Sequence, residues 1–266
     1  MHAVTAPIPP WTACGGQLTI HAVPAGTDNL VWIAVAGADV ALIDGPGARE
    51  ALAACERLGL VPTQVWITHT HADHLGIARD LAGTLPIVGL GTIPGLTRSV
   101  DEGDRVALGP LTAQVMRTEG HLNGHLSYWI PGDDGALFCG DTLFAGGCGR
   151  LFDGPAEAMF HSLLRLASLP PRTAVCCGHE YTLDNLRFAA SVEPDNQALL
   201  ARIARVEATR SAGGCSLPAT IGEEQATNPF LRPGSPAIRA GSGGGPLAVF
   251  TALRALKDTG AYRRTE

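Results

Sequence analysis

Four side chains able to hold a metal ion stand within six residues in Thr68-His69-Thr70-His71-Ala72-Asp73-His74, directly after the apolar run Val65-Trp66-Ile67. Taken singly, each reads as a hydrogen-bonded loop residue, and Asp73 could cap a helix beginning at His74. Together they read differently. Clustered imidazoles gain little by packing on one another, whereas a divalent cation uses neutral imidazole nitrogen and carboxylate oxygen directly.

Three more candidates stand at the ends of strand-like runs: His121 in Glu119-Gly120-His121, Asp141 in Cys139-Gly140-Asp141, and His179 in Cys177-Gly178-His179. Each alone could be a turn residue. In α/β architectures, however, the loops beyond the carboxyl ends of the strands converge on one edge, where ligands collect. The first cluster cannot complete two coordination shells by itself, so these three are expected to join it. His125, four residues past His121, is expected to support the site and not to bind the metal. His2, His21 and His161 have no such context, and Cys148 reads as packing or a close turn. Mixed nitrogen and oxygen ligands without a thiolate suit zinc, iron or manganese.

The elements that must position these residues follow from periodicity. Short apolar runs bounded by Gly, Pro, Asn and Asp predict strands at Leu18–Val23, Leu30–Val35, Val40–Ile43, Val65–Thr68, Pro86–Gly89, Leu111–Met116, Leu126–Ile130, Ala136–Cys139 and Thr173–Cys176. Apolar residues recurring every three or four positions predict a helix at Ala48–Leu58, stopped by Gly59, and another after Pro155 through Met159, Leu163 and Leu166. This is a mixed α/β pattern. From about Leu183 the periodicity is helical, through Leu186, Leu199, Ile203 and Val206. A loop follows, with the Gly-rich surface stretch Gly241–Gly245, and then a last helix around Phe250–Lys257. The chain is therefore read as a mixed α/β domain over residues 1–182, which carries the candidate ligands, and a small helical C-terminal region over 183–266.

With 266 residues, 45% of them hydrophobic, the chain can bury a large core, and its net charge of −6 with 19 Lys and Arg gives no footprint for nucleic acid. The expected partner is a small molecule, and a monomer is expected. Seven scattered cysteines do not form a disulfide framework, and the first twenty residues lack the pattern of a secretory signal, so a cytoplasmic location is expected. No apolar stretch approaches twenty residues, so no membrane span is predicted.

The Thr-His-Thr-His-Ala-Asp-His motif resembles the signature of the metallo-β-lactamase superfamily, which implies an αββα sandwich with metals at one edge. Within it the chain is similar to glyoxalase II, the hydroxyacylglutathione hydrolases, along nearly its whole length. The supporting stretches are Gly140–Arg150, Cys177–Thr182, Asn228-Pro229-Phe230 and Arg254–Asp258. The resemblance implies two divalent ions, zinc foremost with iron or manganese as alternatives. His69, His71 and His121 would hold one, Asp73, His74 and His179 the other, and Asp141 both. It further implies that Arg150, Phe152, Tyr181, Arg254 and Lys257 fall where glutathione is held, with Phe152 in place of the family's usual Tyr. The implied reaction is hydrolysis of S-2-hydroxyacylglutathione thioesters by a metal-bridging hydroxide, with Asp73 and Asp141 as the catalytic carboxylates. The nearest rival is a mononuclear-iron persulfide dioxygenase of the same superfamily; a nuclease of the same fold would need basic surface, and a non-catalytic module would need only a closed, structural metal cage.

Overall fold

The computed structural model describes residues 2–239 and 244–264. Seven strands form the first sheet in sequence order: β1 (Trp11–Ala13), β2 (Leu18–Ala25), β3 (Asn29–Ala36), β4 (Asp39–Ile43), β5 (Gln64–Trp66), β6 (Ile87–Gly89) and β7 (Arg98–Ser99). β1 to β4 pair antiparallel and β4 to β7 parallel. The second sheet contains β8 (Arg105–Leu108), β9 (Leu111–Arg117), β10 (Leu126–Ile130) and β11 (Ala136–Gly140). A small ribbon, β12 (Leu143–Phe144) with β13 (Gly147–Cys148), then leads towards β14 (Ala174–Cys177) and β15 (Ala219–Thr220). The second sheet runs in the order β15-β14-β11-β10-β9-β8.

Period-two alternation builds the layers. Along β3, Leu30, Trp32, Ala34 and Ala36 enter the core that reaches Val106, Val115, Leu126 and Tyr128 of the other sheet. Val31 and Ile33, between them, pack instead with Ala51, Ala54 and Cys55 of α1 (Arg49–Leu58) and Ile77, Ala78 and Leu81 of α2 (Ala72–Leu81). Burying a large apolar side chain on either face contributes about 1.5–3 kcal/mol. On the second sheet lies α3 (Ala156–Ala167), whose Met159, Leu163 and Leu166 share the main core. The result is an αββα sandwich.

The remaining helices are α4 (Thr182–Val192), α5 (Gln197–Ser211), α6 (Ile221–Thr227), α7 (Pro236–Arg239) and α8 (Pro246–Thr259). Phe188, Phe230, Val249, Phe250 and Leu253 from this region join the same core as the sheets, and only Leu186, Ala189, Leu199 and Val206 form a satellite cluster. The region is not purely helical, because β15 pairs with β14; two residues are too few for alternation to show in sequence. Every strand expected above lies within two residues of an observed one. Of the Gly-rich stretch, residues 241–243 fall outside the described residues, and Gly245 is the N-cap of α8. Among the described residues no helix is long and apolar enough to cross a membrane.

Candidate metal centre and the cavities beside it

The His69–His74 segment leaves the carboxyl end of β5 and is clamped from three sides. The Leu126 amide donates to the Thr68 carbonyl (2.8 Å), and the Tyr128 hydroxyl donates to the Ile67 carbonyl (2.9 Å). The carboxylate of Asp44, at the end of β4, accepts from the Thr68 amide (2.8 Å) and hydroxyl (2.6 Å). Helix α2 begins at Ala72, not at His74: His71 is its extended N-cap residue, and its carbonyl accepts from the amides of His74 and Leu75 at 3.0 Å. Asp73 is thus no cap. It stands in the first turn, where the helix dipole favours a carboxylate.

Asp141 and His179 follow the neighbouring parallel strands β11 and β14, each after a glycine. Gly140 has φ +46°, and a Cβ there would lie 2.3 Å from Thr68 Oγ1. A Cβ on Gly178 would lie 2.5 Å from Asp141 Oδ1. Glycine at these positions lets the two sheet ends close on one another. His121 comes from the loop between β9 and β10 and is aimed by its Nδ1–H, which donates to the Arg150 carbonyl (2.7 Å).

All seven ligand candidates converge around Asp141. His71 Nδ1 lies 3.2 Å from His69 Nε2 and 3.0 Å from His121 Nε2, while His121 Nε2 is 3.6 Å from Asp141 Oδ2. On the other side, His179 Nε2 is 3.4 Å from His74 Nε2, 3.4 Å from Asp73 Oδ2 and 3.5 Å from Asp141 Oδ2; His74 Nε2 is 3.5 Å from Asp141 Oδ1. Ligand atoms about 2.0–2.1 Å from a tetrahedrally held ion stand roughly 3.3 Å apart, so each group has the spacing of a coordination shell. The buried Asp141 Oδ1 has no hydrogen-bond partner among the described residues, which is the state of an oxygen built to meet a cation. The donor set therefore fits divalent metal, and Asp141 lies against both groups.

The outer ring nitrogens are fixed by carboxylates and hydroxyls, as metal-binding histidines require. His74 Nδ1 meets Asp44 Oδ2 at 3.0 Å, His179 Nδ1 meets Asp28 Oδ1 at 2.9 Å, and His69 Nδ1 meets Thr68 Oγ1 at 3.0 Å. Asn29 Nδ2 donates to Asp73 Oδ2 (3.0 Å). Burial, reinforced by repulsion from His74 and His125, keeps His69 neutral with its basicity well below the usual imidazole value. Burial works against the charge on Asp141, yet His74 and His179 outweigh it and hold the carboxyl well below the ordinary range. For His179 burial opposes charge, but hydrogen bonds to Asp141, Asp28 and Asp73 push it up to about 12.

Two adjoining cavities open at the centre. The first, about 400 Å³, is lined by His71, Asp73, His121, Asp141 and His179 together with Phe144, Arg150, Phe152 and Tyr181. The second, about 300 Å³, shares Phe144, Arg150 and Tyr181 and adds Cys148, Asp184, Asn185, Arg254, Lys257 and Arg263. Phe152 is exposed and sets its ring edge-on to His71 and His121 at 5.1 and 5.2 Å. Tyr181 stacks on His179 at 4.7 Å. Arg254 and Lys257 share one face of α8 but differ in setting. Arg254 is buried, donating through Nη1 to the Cys148 carbonyl (2.9 Å) and through Nη2 to Asp258 (2.9 Å). Lys257 hydrogen-bonds Asn185 Oδ1 and lies over the Phe188 ring at 5.4 Å.

His125 stays outside both ligand groups. It is fully buried, stacked on His69 at 4.7 Å, and its Nε2 accepts from the Asp141 amide (3.2 Å). The residues that sequence reasoning passed over are Asp44, Asp28, Asn29, Thr68 and Arg263. Asp44 had a usable signal, since it ends the run Val40–Ile43 as Asp141 ends its own; Asp28 and Asn29 sit in a turn far away in sequence and had none.

An αββα sandwich carrying a His/Asp centre at the sheet ends is the architecture of the metallo-β-lactamase superfamily, whose family model matches residues 89–179. Residues 180–260 match the model described as hydroxyacylglutathione hydrolase C-terminus. A hydroxyacylglutathione hydrolase of Gloeobacter violaceus is 45% identical over 251 residues, 91% of this chain and 99% of its own. The chain belongs to the hydroxyacylglutathione hydrolase family, a family of thioester hydrolases. Its fold is also that of the crystal structure of ETHE1 from Myxococcus xanthus (TM-score 0.60, 24% identity, 91% of this chain and 99% of that one). A further solved structure, titled as a di-iron-bound form, is 28% identical with TM-score 0.52 and covers 84% of this chain and 100% of that one.

Proposed function

We propose that this chain hydrolyses S-2-hydroxyacylglutathione thioesters, S-lactoylglutathione to glutathione and lactate, with two divalent ions held by His69, His71, His121 and by Asp73, His74, His179 on either side of Asp141. Zinc is the first expectation, with iron or manganese alternatives. The observation that carries the reading is the junction of the two cavities. One exposes the His/Asp centre; the other is lined by Arg150, Arg254, Lys257 and Arg263 and suits a carboxylate-bearing thiol half. The names of the curated relatives and the di-iron form of a solved one support it.

Bound at these ligands, two divalent ions would supply Lewis acidity for the thioester carbonyl and lower the pKa of water towards about 7. Asp141 keeps the two ligand groups in register, and its charge lowers the net charge of the centre. Phe144, Phe152 and Tyr181 line the cavity at the centre and give the acyl side apolar surface to pack on. Phe152 has no hydroxyl to donate, so orientation of the thiol half falls to Arg150, Tyr181 and Lys257. The leaving thiolate has a conjugate acid near pKa 8.5, so it needs little proton assistance.

The test pairs elemental analysis with a thiol-release assay on S-lactoylglutathione. About two ions per chain, and activity lost on chelation and restored by metal, are the expected results. Full hydrolysis by a verified metal-free preparation would sink the mechanism, and oxygen uptake with glutathione persulfide in its place would sink the reaction.

Lys257 adds a pH dependence. Burial, with repulsion from Arg254, lowers its ammonium to about 8, while Asp184 opposes the shift. Below pH 8 the charged form can hold a carboxylate; as pH rises through 8 that charge is lost. KM for S-lactoylglutathione is therefore expected to rise several-fold between pH 7 and 9. In Lys257→Arg, which stays charged, the rise should flatten; an identical rise in that variant would assign the titration elsewhere.

A further inference from the structure

The family match ends at residue 260, yet the chain continues and builds part of the second cavity. Gly260 closes α8 in the left-handed conformation (φ +64°) and turns the chain back onto α4. Residues Ala261–Arg264 form a short 3₁₀ turn there. The Tyr262 ring packs against Phe188 at 5.2 Å, and its hydroxyl donates to Asp184 Oδ2 (2.7 Å). Arg263 forks onto the same carboxylate, Nε to Oδ1 at 2.7 Å and Nη2 to Oδ2 at 2.8 Å. Lys257 Nζ lies 5.9 Å from the centre of the Tyr262 ring.

Asp184 is the one carboxylate among the residues that line this cavity, beside three cations from elsewhere in the chain: Arg150, Arg254 and Lys257. A bare carboxylate there would compete with an incoming anion for those cations. The turn after α8 covers it with a phenol and a guanidinium. Both partners lie past the residues that the family model matches.

We propose that Tyr262 and Arg263 form a specificity-determining strap: by hydrogen-bonding and neutralising Asp184, they keep its negative charge from repelling thioesters whose thiol half carries a carboxylate. This rests on the reading of the second cavity given under Proposed function. The Arg263–Asp184 pair is largely exposed, with side chains 61% and 36% accessible, so the effect is modest. Roughly fivefold is the expected size, the upper end of what an exposed ion pair gives.

The experiment uses the full chain loaded with metal and two substrates, S-lactoylglutathione and the lactoyl thioester of N-acetylcysteamine, which has the same acyl group and no carboxylate. The readout is the ratio of their kcat/KM values. Arg263→Ala should lower that ratio about fivefold through KM for the glutathione thioester. Adding Asp184→Asn to Arg263→Ala should recover most of it, since the carboxylate being masked is then gone. A merely structural turn gives no such rescue. If the wild-type ratio is near one, the glutathione reading itself fails. If the wild type discriminates but Arg263→Ala keeps the ratio, or the double variant stays as low as the single, the strap proposal fails and the glutathione reading stands.

Discussion

Asp141→Ala is expected to lose both ions and to lower kcat/KM by roughly a thousandfold or more, whereas His125→Ala should keep close to two ions. The Asp141 carboxylate lies within 3.6 Å of His74, His121 and His179, so it belongs to both ligand groups at once. A methyl group cannot replace it, and the facing imidazoles would be left converging on cations with too little negative charge nearby. Loss of Lewis-acid stabilisation and of an activated water is worth several kcal/mol in the barrier, which sets the thousandfold scale. His125 acts differently: it receives the Asp141 amide and stacks on His69. Truncating it leaves that buried amide unpaired, at about 1–3 kcal/mol of stability. The measurement is metal content after dialysis against a weak chelator, beside thermal unfolding. If His125→Ala drops to one ion while Asp141→Ala keeps two, the division between ligand and support drawn from the geometry is wrong.

The alternating and buried runs that make the sandwich were legible because side-chain period two and burial on both faces leave a strong mark, as in Asn29–Ala36. β7, β12, β13 and β15 were not, since a two-residue strand has no period to read, and the short β1 and β8 were missed as well. The candidate ligands were legible for a different reason. His69 to His74 are adjacent in sequence, and His121, Asp141 and His179 stand at ends of apolar runs, so position alone drew them together. Their partners were not, because Asp28 reaches His179 across 151 residues and Asp44 reaches His74 across 30, and no local pattern encodes such a meeting. The pairing of ligands into two groups came from family resemblance; spacing could not show it. Helical periodicity put Arg254 and Lys257 on one face of α8, but it could not reveal that, of these two cavity-lining cations, Arg254 is buried and committed to backbone carbonyls while Lys257 hydrogen-bonds a side chain, Asn185.

That difference changes what Arg254→Ala should do. As a solvated member of an anion clamp, Arg254 would cost about tenfold in KM and leave stability alone. In the structure its Nη1 donates to the carbonyls of Cys148 (2.9 Å) and Gly149 (3.4 Å), its Nη2 to Asp258 (2.9 Å), and its guanidinium lies 5.2 Å from the centre of the Phe230 ring. It therefore ties α8 to the β12–β13 ribbon and to the Arg150 segment, whose carbonyl aims His121. Removing it strands buried acceptors and leaves Asp258 with the weaker Arg150 contact at 3.4 Å. Breaking such a buried set costs about 3 kcal/mol, which for a chain of this size lowers the unfolding midpoint by about 6–12 °C. KM for S-lactoylglutathione should rise more than about tenfold, because the ribbon carrying Phe144 and the Arg150 segment after it are released along with one cation. Lys257→Ala supplies the contrast: it removes a cavity cation that hydrogen-bonds the Asn185 side chain and no backbone carbonyl among the described residues, so its KM should rise with a smaller loss of midpoint. Arg254→Lys keeps the charge but not the fork, and it should recover little stability. Calorimetry and steady-state kinetics on the three variants decide the matter. A midpoint for Arg254→Ala within about 2 °C of wild type would show that the carbonyl ties do not hold the ribbon and that Arg254 acts on the substrate alone.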